Sequence, residues 1–360
     1  MVFSLNSLLR EFWYMPSAGL TYFANQKAGT TSIKRSLWQH HNQITNQASK
    51  EYDETSAIIA RPQSVFPTYV SVANNDFDAF RKSVFFSCVR NPYVRLLSAY
   101  LDKIGPGKDY TVWPEFCTTY AIDPDRPLAF RDFVAIISKA LPETVDFHFC
   151  PQHLNLLIPY VPYHHIFHLE NTAPLQTFFA DRGVDYSVHD RHSTKSSDLL
   201  KQHYDSETVA LVAQMYRADF DYFGYTTDIT VLDPVADIDI ARLSGDFLFQ
   251  WMAVIGNPDK LRRINEIWLN YPDRPYFIDM LAYQILRTRN WDTAIKVAKE
   301  MVEKEPRNWK YLYIIWTDSK NRGDVEAEAY FKNLIIKCLP GHEKMFKRYP
   351  NTTPGNDLKY

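Results

Sequence analysis

Two segments of the sequence share one form, in which an apolar strand ends in a polar turn and leads directly into a helix. Residues 20–26 predict a buried strand that ends in the turn 27–32 and then a helix. Residues 83–89 predict a second strand, followed by the turn 90–92 and a helix over 93–103. Strands that alternate with helices form parallel sheets, and ligands of such sheets bind at the carboxyl ends of the strands. The pattern predicts an α/β fold, a P-loop-like parallel sheet flanked by helices, with both turns facing one crevice.

The later sequence adds further elements and a domain division. His164–Leu169 predicts a third strand, and residues 174–182 and 205–220 predict helices. An aspartate-rich stretch after Thr226 resembles a linker, so we expect a catalytic domain over 1–234 and an all-α domain over 235–360.

The C-terminal part shows a regular spacing of prolines. Pro272, Pro306 and Pro340 lie at equal intervals of 34 residues, which is the period of a helix-turn-helix tetratricopeptide unit. The segment Arg322-Gly323-Asp324 marks a turn within one such unit. We therefore expect a tetratricopeptide-like helical-repeat domain that recruits an acceptor, a partner protein or a second copy of the chain.

Composition excludes several classes of function. Lys and Arg number 40 against 42 Asp and Glu, so no overall field favours nucleic acid or an anionic membrane. Four scattered cysteines predict no disulfide framework, and no long apolar run predicts a membrane span. The N-terminus has no basic leader, so we expect a cytoplasmic protein. His148, Cys150 and His153 have a metal-like spacing but no evident fourth ligand, so no metal is expected.

The first turn has the composition of an anion-binding loop. It is not a Walker A sequence, because no glycine precedes Lys27 and the order is Lys-Ala-Gly-Thr-Thr. No acidic partner for magnesium is evident in the sequence. The turn offers a helix N-terminus, one cation and several hydroxyls, from Lys27, Gly29, Thr30, Thr31 and Ser32. This set suits a phosphosulfate bound without metal, and the alternative is an ordinary turn with a helix cap.

The second turn supplies a matching cation. Arg90 stands at the end of the predicted strand, Pro92 suits the first turn of the next helix, and Ser98 lies eight residues after Arg90. An arginine fork and a short hydroxyl together form a compact phosphate clamp.

These two motifs resemble the 5′-phosphosulfate and 3′-phosphate loops of sulfotransferases that use 3′-phosphoadenosine 5′-phosphosulfate (PAPS). The likeness covers roughly residues 20–226, and two segments extend it, residues 146–152 and 216–225. More narrowly, the chain is similar to carbohydrate sulfotransferases such as the chondroitin 4-O-sulfotransferases. The resemblance implies transfer of a sulfuryl group from PAPS to a hydroxyl of a carbohydrate or glycoconjugate acceptor. The absence of a membrane anchor indicates a bacterial-type member.

Carried over by position, the resemblance assigns residues to the donor. Lys27, Gly29, Thr30, Thr31 and Ser32 would hold the 5′-phosphosulfate, and Arg90 and Ser98 the 3′-phosphate. Arg95 would either reach the phosphate or form a structural ion pair on the helix face that it shares with Ser98 and Asp102. The segment 191–195 occupies the place of the family's loop over the adenosine.

Catalysis requires a cation for the bridging oxygen and a base for the acceptor proton. Lys27 suits the first role. His148 is the predicted base, because imidazole titrates near neutral pH and the residue lies in a family-like segment. A structural histidine is the alternative for His148, and Glu115 and Asp146 are rival bases.

Two other functions remain open at this stage. A P-loop kinase would require ATP and magnesium. A non-catalytic interaction protein would act through its C-terminal helices and retain only a vestigial nucleotide fold.

Overall fold

The computed structural model describes residues 12–44, 72–105, 111–140, 142, 145–186, 196–253 and 309–338, with a few single residues between 295 and 306. The chain divides into two compact units. The first comprises residues 1–109 and 128–257, and the second comprises residues 110–127 and 258–360.

A four-stranded sheet forms the centre of the first unit, with the strand order β1-β2-β3-β4. The strands are β1 (Phe12–Met15), β2 (Leu20–Phe23), β3 (Val84–Val89) and β4 (His165–His168). The three strands β2, β3 and β4 are parallel, with Leu20 opposite Val84 and Phe86 opposite His165. The predicted parallel sheet and its three strands are thereby confirmed.

The described helices lie between these strands and after the last of them. In chain order the helices are α1 (Thr30–Ile44), α2 (Phe77–Arg81), α3 (Pro92–Lys103), α4 (Val112–Tyr120), α5 (Phe130–Ile137), α6 (Gln152–Asn155), α7 (Ala173–Ala180), α8 (Ser196–His203), α9 (Ser206–Met215), α10 (Arg217–Tyr222), α11 (Ile240–Leu243), α12 (Phe247–Met252), α13 (Trp309–Arg322) and α14 (Val325–Cys338). The helix predicted over 205–220 is interrupted at Tyr216, where the backbone leaves the helical conformation (φ −103°, ψ 20°).

The sequence did not predict β1. This strand pairs antiparallel with β2, with Phe12 opposite Phe23 and Met15 opposite Leu20. A short 3₁₀ turn and Gly19, whose φ of 60° lies in the left-handed region, reverse the chain between the two strands. All four residues of β1 are buried, so its sequence lacks the alternation of polar and apolar residues that identifies a half-exposed strand. A run of four apolar residues is also too short to assign from its pattern alone.

Both faces of the sheet are covered, as the largely apolar sequence of β3 predicts. One face places Tyr22 and Phe86 in a cluster with residues of α1 and α7. On the other face, the Phe85 ring packs against Phe80 and Phe249 at centroid distances of 5.0 and 5.5 Å. Phe249 belongs to α12, and the backbone of Leu248 donates to the carbonyl of Tyr160. Residues 240–252 therefore belong to the first unit, and the domain division after residue 234 stays a prediction.

In the second unit, α13 and α14 form a helix-turn-helix at the predicted turn. Gly323 adopts a left-handed conformation (φ 71°), and the Asp324 carboxylate accepts from the backbone N–H of Ala327 at 3.0 Å, near the start of α14. Pro272 and Pro340 lie outside the described residues, so the tetratricopeptide-like repeat stays a prediction.

Candidate functional site

The turn after β2 is shaped for an anion. Lys27 and Gly29 both have positive φ, 66° and 76°, which curls the backbone at the N-terminus of α1. The Thr30 hydroxyl donates to the carbonyl of Asn25 at 2.6 Å and thereby closes the turn. The first helical hydrogen bond runs from the N–H of Ile33 to the carbonyl of Gly29 at 3.1 Å, and the amides before Ile33 belong to the first helical turn, which has no acceptors within its own helix.

Gly29 is required by both its conformation and its surroundings. Its φ of 76° disfavours any L side chain, and a Cβ atom there would lie 2.8 Å from Cδ1 of Leu169. Leucine is flexible enough to move, so the backbone conformation dominates the cost.

We expect Gly29→Ala to lower the free energy of unfolding by about 1–3 kcal/mol, measured by urea denaturation. The double variant Gly29→Ala/Leu169→Ala separates the two causes. If the glycine substitution costs nothing in the Leu169→Ala background, the contact and not the positive φ is responsible.

The turn after β3 is built around a helix cap and a carboxylate. The Asn91 side chain accepts from the N–H of Tyr93 at 3.0 Å and caps α3, with Pro92 in the first turn. The backbone N–H of Asn91 donates to Glu170 Oε1 at 2.8 Å, and the Tyr225 hydroxyl donates to Glu170 Oε2 at 2.7 Å. Glu170 thus joins the carboxyl ends of β3 and β4, a role that the sequence analysis missed.

The two turns meet at Arg90. Its Nη1 lies 3.4 Å from the carbonyl oxygen of Lys27, and its Nη2 lies 3.3 Å from the hydroxyl of Ser196. Burial lowers the pKa of the Arg90 guanidinium, and Glu170 opposes that shift. The turns after β2 and β3 are therefore in contact with each other, and the crevice that they would share stays a prediction. Ser98 lies buried on α3, and Ser196 joins the set as a hydroxyl that the sequence analysis did not select.

A buried amide locks the ends of β2 and β3 together. Gln152 Oε1 accepts from Asn25 Nδ2 at 2.9 Å and from the N–H of Arg90 at 3.0 Å, while Gln152 Nε2 donates to the carbonyl of Arg90 at 2.8 Å. Asn25 Nδ2 also donates to the carbonyl of Cys88 at 3.0 Å. Gln152 therefore fixes the backbone of Arg90 in the way that a neighbouring strand would. The sequence analysis included Gln152 in the family-like segment 146–152 but assigned it no role.

The same segment is anchored by the last helix of the family-like region. The Asp219 carboxylate accepts from the N–H groups of Gln152 and His153 at 2.6 and 2.9 Å, and from His153 Nδ1 at 2.6 Å. These are the first amides of α6, which has no side-chain cap of its own. Asp219, on α10, thus caps α6 from a distant part of the chain.

Lys27 forms an ion pair with Asp102 on α3. The distance from Lys27 Nζ to Asp102 Oδ2 is 3.3 Å, and Lys103 Nζ lies 3.1 Å from the same oxygen. Burial lowers the pKa of Lys27, and Asp102 opposes that shift. The sequence analysis placed Asp102 on the helix face of Arg95 and Ser98 and did not connect it with Lys27.

Arg95 has neither of its two expected roles. Its side chain is fully buried and donates to three backbone carbonyls. Nε bonds to Gln26 at 2.9 Å, Nη1 to Cys150 at 2.8 Å and Nη2 to Phe147 at 3.0 Å. The guanidinium therefore holds the segment that carries His148 to the residue before Lys27.

His148 is paired with a carboxylate. Its Nδ1 lies 2.7 Å from Asp146 Oδ1, and the backbone N–H of His148 bonds to the same oxygen at 2.9 Å. Burial would raise the pKa of Asp146, but the hydrogen bonds and charge of His148 outweigh it and leave that pKa below its usual range. In the neutral imidazole, an ionised Asp146 favours the tautomer with its proton on Nδ1 and the lone pair on Nε2. Glu115, the other rival base, lies exposed on α4 in the second unit.

Three further observations bear on the sequence predictions. The segment 191–195 lies outside the described residues. No described helix has the length and apolar character needed to cross a membrane. Within the part of the chain that the structure describes, no group of three or more His, Cys, Asp or Glu side chains is placed to hold a metal ion.

Of three comparisons with known proteins, one found a match. The model of the sulfotransferase family matches residues 10–226, which include all four strands and both turns. Searches of curated proteins and of solved structures returned no match.

Proposed function

Because the chain belongs to the sulfotransferase family, we propose that it transfers a sulfuryl group from PAPS to a hydroxyl of a carbohydrate or glycoconjugate. One observation carries the choice of donor. Arg90 Nη1 lies 3.4 Å from the carbonyl of Lys27, so two cationic side chains stand at the carboxyl ends of adjacent parallel strands. A donor with one anion at its 5′ end and another on its ribose suits such a pair.

The residues present fit this donor. The turn 27–32 offers a helix N-terminus, a lysine and the hydroxyls of Thr31 and Ser32 for the 5′-phosphosulfate, while the Thr30 hydroxyl donates to the carbonyl of Asn25 and shapes the turn. Arg90 and Ser98 are proposed for the 3′-phosphate, and the Ser196 hydroxyl beside Arg90 adds a neutral donor. Gln152 and Asn25 keep the two groups at a fixed separation, because they bond both strand ends with buried amides.

The proposed chemistry assigns one task to each side chain. PAPS supplies the sulfuryl group, which passes to the acceptor oxygen in an in-line displacement. Lys27 donates a hydrogen bond to the bridging oxygen, where negative charge develops. His148 Nε2 accepts the acceptor proton, and Asp146 stabilises the resulting imidazolium through Nδ1. The buried Arg95 keeps these two reactive segments together.

The proposed carbohydrate acceptor and the proposed role of the C-terminal helices rest on separate observations. A carbohydrate acceptor rests on the resemblance of the two turns and of the segments 146–152 and 216–225 to carbohydrate sulfotransferases. The narrower likeness to chondroitin 4-O-sulfotransferases stays a prediction. The helix pair α13–α14 is proposed to select the acceptor or a protein partner.

Transfer of labelled sulfate from PAPS to a panel of glycans tests the proposal. We expect incorporation that persists in EDTA, because the proposed anion contacts come from side chains and backbone amides. Magnesium-dependent ATP turnover without sulfate transfer would instead support a kinase. Inactivity with every glycan, together with no binding of adenosine 3′,5′-bisphosphate, would support a non-catalytic interaction protein.

A further inference from the structure

Helix α3 brings a carboxylate to the cation of the first turn. The Lys27 side chain is 11% exposed and Asp102 is 26% exposed, with 3.3 Å between Nζ and Oδ2. Asp102 follows Ser98 by one helical turn, so the helix that carries the proposed 3′-phosphate hydroxyl also carries the counterion of Lys27. Neither the family match nor the proposed mechanism gives Asp102 a task.

The charges around Lys27 explain why a counterion is needed. Burial lowers the pKa of Lys27, and the positive charges of Lys103 and Arg90 lower it further. Asp102 opposes these effects through both its charge and its hydrogen bond. Burial by itself would raise the pKa of Asp102, but Lys27 and Lys103 outweigh it and the net shift is downward. Asp102 therefore stays ionised at neutral pH and favours the ammonium form of its partner.

We propose that Asp102 is a positioning residue of the donor site, whose carboxylate keeps the nearly buried Lys27 ammonium charged and fixed beside the turn 27–32. This inference rests on the proposed function, in which Lys27 binds the 5′-phosphosulfate. A carboxylate so close to a bound anion also repels it. Asp102 should therefore favour donor binding when Lys27 is present and oppose it when Lys27 is absent.

A double-mutant cycle tests this reversal of sign. Binding of adenosine 3′,5′-bisphosphate is measured by calorimetry at pH 7 and pH 9 for wild type, Asp102→Asn, Lys27→Met and the double variant. At pH 9 we expect Asp102→Asn to bind about tenfold more weakly than wild type, the effect of losing one charged hydrogen bond. At pH 7 the loss should be smaller, because Lys27 is protonated more fully. In the Lys27→Met background, the same substitution should tighten binding by about threefold.

Asp132→Asn is the matched control, since Asp132 is exposed on α5 and has no contact with the proposed donor residues. Circular dichroism establishes that each variant is folded. Equal losses in both backgrounds, or a loss in Asp102→Asn that does not grow with pH, would overturn the role of Asp102 and leave the proposed function intact. Failure of the wild-type protein to bind the nucleotide at either pH would overturn the proposed function and this inference with it.

Discussion

Replacing Arg90 by alanine is expected to weaken binding of adenosine 3′,5′-bisphosphate by about 100-fold or more. The guanidinium is largely buried. A buried arginine forms charge-assisted hydrogen bonds to a phosphate, and water does not make up for these bonds when the side chain is removed. Binding of adenosine 5′-monophosphate should fall by less than about fivefold, because that nucleotide has no 3′-phosphate. Titration calorimetry with both nucleotides measures the difference.

Two variants support the interpretation of this result. Arg90→Lys retains a charge without the fork, so it should recover part of the affinity and little of the discrimination between the nucleotides. Arg131→Ala is a control, because Arg131 is exposed and forms surface ion pairs with Asp205 and Glu207. Equal losses for both nucleotides in Arg90→Ala would show that Arg90 maintains the turn after β2 through its contact with Lys27 and does not bind the 3′-phosphate.

The parallel sheet could be predicted because its signals are local. The sequence Val84–Val89 is apolar except for Ser87, as expected of a strand buried on both faces, and a proline then begins the next helix. The same argument placed the turns after β2 and β3 at one edge, where Arg90 and Lys27 in fact meet. These inferences require only the order of elements along the chain.

The supporting contacts could not be predicted in the same way. Gln152 bonds to Arg90 across 62 residues of sequence, and Asp219 caps α6 across 67. Spacing along a chain carries no information about such pairs, because many other polar residues lie at comparable separations. Arg95 shows the limit within a single helix. Its periodicity placed it on the face of Asp102, but its side chain turns to carbonyls of two other segments.

Two carboxylates that the sequence analysis did not connect with the site, Glu170 and Asp102, lie beside its proposed cations. Glu170 follows β4 at the carboxyl edge of the sheet, and Asp102 lies one turn beyond Ser98 on α3. Both positions follow from the predicted elements, since one is a strand end and the other lies on the helix face of Ser98. The residue types that bind anions do not by themselves identify the carboxylates that lie beside them.

Replacing His148 by asparagine is expected to lower kcat for sulfate transfer by about 10²- to 10⁴-fold, the usual contribution of a general base. Asparagine preserves much of the shape but cannot accept a proton at neutral pH. Binding of adenosine 3′,5′-bisphosphate should be unchanged within about twofold, because none of the proposed donor contacts involves His148. Steady-state kinetics with the best acceptor from the glycan panel, together with calorimetry, gives both quantities.

Asp146→Asn and Glu115→Gln distinguish the predicted base from its rivals. Asp146 accepts from His148 Nδ1 at 2.7 Å, so its substitution should lower kcat by about tenfold to 100-fold through loss of imidazole orientation and charge stabilisation. In the His148→Asn background, Asp146→Asn should cost little more, since both residues act through one imidazole. Independent, multiplying losses from His148→Asn and Asp146→Asn would mean that the carboxylate contacts the acceptor itself. A loss confined to Glu115→Gln would assign the role of base to Glu115 and leave His148 as a structural partner of Asp146.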